Sequence, residues 1–107
     1  MNGEKAPETT FQGASAEVEV ELRRVVDRLD SLPLDRLTRD DGLGGRCHAV
    51  AVALADATAD EHPPVPVLGP SGWGAQLAVL GRDYLASDPD DVADVLNELV
   101  SLRRSLP

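Results

Sequence analysis

The prolines of this chain decide where a helix can run and where it must stop. Four of the eight fall within the stretch HPPVPVLGP, which runs from His62 to Pro70, and three of these, Pro63, Pro64 and Pro66, lie in its interior. Each lacks a backbone donor and holds the residue before it away from the helical region, so no helix passes through. The stretch reads as an extended crossover between two helical halves. Pro33 ends the first helix, and Pro89 suits the opening turn of the last one.

Between these stops, apolar residues recur at helical spacing. From Ser15, a suitable N-cap, Val18, Leu22, Val25, Val26, Leu29 and Leu32 share a stripe about 120° wide. Glu17, Glu19 and Glu21 precede Arg23, Arg24 and Arg28, the charge order that complements a helix dipole, and Glu19 is spaced for an i, i+4 pair with Arg23. PLDRL, from Pro33, allows one further turn with Leu34 and Leu37 at the end of the core, and TRDDGLGG after it reads as loop. A second helix is expected over Arg46–Asp60, with Cys47, Val50, Ala51, Leu54 and Thr58 on one face. His48, Val52, Ala55 and Ala59 form a shallow second stripe that asks for a neighbour of its own. A third helix begins near Ser71 to Gly74, where Trp73, Leu77, Leu80 and Tyr84 fall on one line expected to face the core, and Gly81 in its interior points to a close helix crossing. The fourth takes Asp88 as N-cap, followed by Pro89, Asp90 and Asp91, and buries Val92, Val95, Leu96, Leu99, Val100 and Leu102.

No window shows strand alternation, so the expected fold is all-α: a four-helix up-and-down bundle with a long Pro-rich crossover between helices two and three. Residues 1–14 offer only Phe11 as a large apolar side chain, too little burial to offset ordering, and are expected as a flexible tail before a single helical domain over 15–107. With 3% aromatic and 42% apolar residues, the core has to be built from Leu, Val and Ala. Nineteen acidic against ten basic residues give a net charge of -9, which argues against nucleic acid and anionic membranes as partners. No stretch approaches the roughly 20 apolar residues of a membrane span. The N-terminus has no basic start followed by an apolar run, and a lone Cys47 cannot form an internal disulfide. A cytoplasmic location is expected.

Residues that could carry chemistry are few. Cys47 and His48 are adjacent and so point to different helix faces, and neither has an i, i+3 or i, i+4 ligand partner; with His62 they make no metal set. GLGG and GPSG have neither a preceding strand nor a P-loop Lys. LGRDYL resembles the phosphopantetheine attachment motif of acyl carrier proteins, but Tyr84 stands where the modified Ser is required. GWG with YLASD resembles the helical hairpins of the WxG class, yet Trp73 is followed by Gly74 and Ala75, so the tripeptide does not match. No catalytic residue, metal ligand or cofactor is assigned. Gln76 and Asp83, seven apart beside the aromatic stripe, are the polar pair of interest, either bonding the crossover loop or lining a pocket with Trp73 and Tyr84.

The runs GWGAQLAVLGRDYL and LRRVVDRLDSLP together make the chain similar to a group of uncharacterised small helical proteins encoded in actinobacterial genomes. Nine Arg against one Lys, with abundant Ala, Gly and Val, agrees with a GC-rich source. The resemblance implies a stand-alone helical protein and assigns no activity. The expectation is a non-catalytic interaction or regulatory protein acting through protein–protein contacts. Self-association as a homodimer would use His48, Val52, Ala55 and Ala59. The alternative is a small-ligand-binding protein, and less readily an enzyme, with its pocket at Trp73, Gln76, Asp83 and Tyr84.

Overall fold

The computed structural model describes the backbone from Asn2 and the side chains from Ser15 to Pro107. The tail expected over residues 1–14 lies outside the residues whose side chains are described. Among the described residues the chain is all-helical, in five helices: α1 (Asn2–Ser31), α2 (Leu34–Thr38), α3 (Leu43–Thr58), α4 (Pro70–Ala86) and α5 (Ala93–Ser105). No strand is present among them. The extra element is α2, the turn expected after Pro33; it buries Leu37 and leaves Leu34 exposed.

The apolar stripes meet in one core. Val18, Leu22, Val25 and Leu29 of α1 join Cys47, Val50, Ala51 and Leu54 of α3, Trp73, Leu77 and Tyr84 of α4, and Val95, Leu99 and Leu102 of α5. The helix-helix pattern departs from a simple up-and-down bundle. There, consecutive helices lie side by side. Here α1 and α3 each pack on both α4 and α5, and neither α1 with α3 nor α4 with α5 forms a substantial interface. The tightest approach is at Gly81 of α4, where a Cβ would collide with the Leu22 side chain of α1. The close crossing expected from a mid-helix glycine is therefore with α1.

Helix limits differ from the sequence reading in three places. The bounds of α1 enclose Ser15, which is not a cap. α3 starts three residues before Arg46, at Leu43, which is fully buried. Asp40 organises this start: its carboxylate accepts the Gly42 N–H at 2.9 Å and an Arg46 guanidinium N–H at 2.7 Å. Gly44, in the first turn, leaves room for the Trp73 ring, since a Cβ there would lie 2.9 Å from Cζ2. Gly44 thus sits in a helix because the indole needs the space, a requirement set by a residue far along the chain. Lastly, α5 starts at Ala93, not at Asp88. Asp88 has φ 56, in the left-handed region, where an N-cap does not sit. It closes α4 instead, its N–H donating to the Leu85 carbonyl, and Asp91 takes over at the next helix by accepting the Ala93 N–H at 3.0 Å.

Electrostatic pairing across the helices falls on Glu21, not on Glu19 and Arg23. Glu21 accepts from Arg103 of α5 at 2.6 Å and from Arg24 at 3.3 Å, with only 12% of its side chain exposed. It ties α1 to α5 at the edge of the core.

Candidate functional site

Residues 59–69 connect α3 to α4 without regular structure, as the three prolines require. Side chains from the two flanking helices hold this segment by its carbonyls. His48 Nε2–H of α3 donates to the Val65 carbonyl at 3.0 Å. From α4, Gln76 Nε2 donates to the Pro66 carbonyl at 2.9 Å and Trp73 Nε1 to the Leu68 carbonyl at 2.9 Å. At its start His62 is bonded at both ring nitrogens, Nδ1 to the Pro63 carbonyl at 2.8 Å and Nε2 to Asp56 Oδ1 at 2.6 Å. Both partners are acceptors, so both bonds exist together only when the ring carries two protons. The Asp56 carboxylate and the Pro63 carbonyl accordingly raise the His62 pKa above its ordinary value.

Held in this way, the segment forms one wall of a groove of about 580 Å³ between α3 and α4. Its floor and walls are mostly apolar: Ala55 and Ala59 from α3, Pro63, Pro64, Val65, Pro66 and Leu68 from the segment, and Ala75, Val79 and Leu80 from α4. Polar atoms come from Thr58, His62, Gln76 and Asp83. Val79 is 56% exposed, and Val67 and Leu68 on the same segment add exposed apolar surface.

The two sets of residues expected to act separately are redistributed by this geometry. Gln76 and Asp83 line the groove, with Gln76 bonding the segment. Trp73 and Tyr84 do not line it; they are 8% and 1% exposed and belong to the core. Ala55 and Ala59, expected on a dimer face, line the groove together with Gln76 and Asp83. Ala55 is 6% exposed, while His48 and Val52 are half-buried, so the second stripe of α3 already has a neighbour in the chain's own segment 59–69. Val79 falls on neither stripe, His62 enters the sequence reading only as a possible metal ligand, and Thr58 is placed there on the core face of the second helix. The signal present was the spacing of Ala75, Val79 and Asp83, four apart each time on the flank of α4 away from the core.

Other reactive groups are engaged or shielded. Burial pushes the Cys47 thiol up to about 11, which keeps it protonated at neutral pH. The Tyr84 hydroxyl is buried without a hydrogen-bond partner, and its pKa is raised by that burial and by the charge of Asp91. The Arg46 guanidinium and the Gly42 N–H hold the Asp40 carboxyl below the usual carboxylate range. Among the described residues, no group of three or more His, Cys, Asp or Glu is placed to hold a metal ion. No helix among them is long and apolar enough to cross a membrane. Comparison with family models, with characterised proteins and with solved structures returned no match.

Proposed function

We propose that the protein is a non-catalytic helical interaction or regulatory protein, and that the groove between α3, segment 59–69 and α4 is its contact face. In this reading the four long helices act as a bundle-like scaffold and the Pro-rich segment as the crossover that shapes the groove. The observation that carries it is the groove's chemistry: an open apolar surface containing Val79, with His62 and Asp83 as its ionisable groups and His62 already committed at both nitrogens. Monomeric proteins seldom leave a contiguous apolar patch of this kind without a use for it. Action in the cytoplasm is part of the proposal and is supported by the single, buried, free thiol.

The test compares two exposed valines. In native cells, Val79→Arg is expected to abolish proximity cross-linking to a partner, whereas Val20→Arg, on the α1 surface facing α5, leaves it intact. Equal loss in both variants, or in neither, overturns the groove as contact face. The partner is another protein or a second copy. A dimer in sedimentation that Val79→Arg turns into a folded monomer would assign the groove to self-association.

A small-ligand-binding role is the second reading, favoured by a groove volume within the roughly 300–1,000 Å³ of ligand sites. A saturable rise in melting temperature with a metabolite, lost in Val79→Arg, is the result that would support it.

A further inference from the structure

We infer that the groove receives an amphipathic helix of a partner protein, with Lys or Arg residues along the edges of its apolar face. The inference rests on the groove being a contact face and names what fills it.

Hydrogen bonding decides the secondary structure of the occupant. An extended peptide gains affinity by pairing its backbone with a free strand edge. The groove offers no regular strand edge: Pro63, Pro64 and Pro66 have no N–H, and the carbonyls of Pro63, Val65, Pro66 and Leu68 already accept bonds from His62, His48, Gln76 and Trp73. A partner lying here has to bring its backbone bonds satisfied, and a helix does so. It would then bind by side-chain packing alone, apolar residues at i, i+3, i+4 and i+7 entering between Ala55 and Ala59 on one side and Ala75 and Val79 on the other.

Charge decides the flanks. No Lys or Arg lines the groove. Asp83 lies on its α4 side, Asp56 is bonded to His62 at the other side, and Asp60 and Glu61, which precede His62 in the chain, are exposed. The nearest arginine in sequence on α4, Arg82, lines a different groove against α1. Only His62 adds positive charge, and it is paired with Asp56. The whole chain carries -9, so a second copy would bring two acidic rims together, whereas a basic-edged helix meets complementary charge.

The full chain, isotope-labelled, is to be titrated with three synthetic peptides of about 18 residues, five helical turns. One is a Leu/Lys sequence with a single apolar face, one a Leu/Glu sequence of the same pattern, and one the Leu/Lys composition scrambled to remove the face. The Leu/Lys peptide is expected to gain helicity on binding and to shift the amides of Ala59, Ala75 and Val79 saturably, with Kd below about 1 mM. Val79→Arg, checked as folded by circular dichroism, should weaken it about tenfold or more. Asp60→Asn combined with Asp83→Asn should weaken it and flatten its salt dependence. Equal binding of the Leu/Glu peptide at the same amides overturns the basic-edged helix and leaves the contact face standing. Equal binding of the scrambled peptide, or indifference to Val79→Arg, overturns both. Groove amides that move with indole but with no peptide, up to about 1 mM, overturn the inference in favour of a small apolar ligand.

Discussion

Gly81 is the position where one hydrogen atom decides how two helices meet. In the interior of an exposed helix, Gly→Ala ordinarily gains about 1 kcal/mol. At Gly81 the added methyl would run into Leu22, itself a buried core residue, and overpacking of that kind costs about 1–3 kcal/mol. Gly81→Ala is therefore expected to lower stability by about 1 kcal/mol, read as a lower urea midpoint with an unchanged m-value. Leu22→Ala in the same chain should turn the glycine substitution neutral or favourable, because the obstacle is then gone. Asp88 shows the opposite economy of space, a non-glycine residue at φ 56 whose short side chain tolerates the left-handed region and lets α4 stop before Pro89.

At the scale of elements, the joint between α3 and segment 59–69 is the pH-sensitive one. His62 there is bonded to Asp56 of α3, and its pKa in the folded chain lies above the ordinary 6.5. A raised folded pKa means that the folded state holds the proton more tightly than the unfolded chain does. The stabilisation is complete below the unfolded value and disappears as pH rises through the folded one. The expected outcome is greater resistance to urea at about pH 5.5 than at about pH 8.5 in the wild type, with the His62 ring titrating above the ordinary histidine range by NMR. Asp56→Asn should bring that titration back toward the ordinary value and remove this histidine's part of the pH dependence. An unchanged His62 titration in Asp56→Asn would mean that the carboxylate is not what raises it.

For the whole molecule, nineteen acidic residues against ten basic ones make self-repulsion the general opponent of folding. Adding salt to about 0.3 M, which shortens the screening length to well under 10 Å, should raise the melting temperature by a few degrees; a fall would show that specific pairs such as Glu21 with Arg103 outweigh the net charge. The sequence by itself determined the helical class, the stripes Val18–Leu29 and Val50–Leu54, the burial of Trp73 and Tyr84, and the non-helical segment at Pro63–Pro66. These follow from periodicity and from missing donors, which are properties of neighbours along the chain. Only the tertiary structure decided that α3 begins at Leu43, because Gly44 is there for an indole some thirty residues on, and that Asp88 ends a helix instead of starting one. Only it decided that Ala55 and Ala59 share a groove with Gln76 and Asp83. Each helix presents several flanks of similar polarity to choose from. Which two flanks face each other is settled by three carbonyl bonds that pin the connecting segment, and those join residues that no local pattern relates.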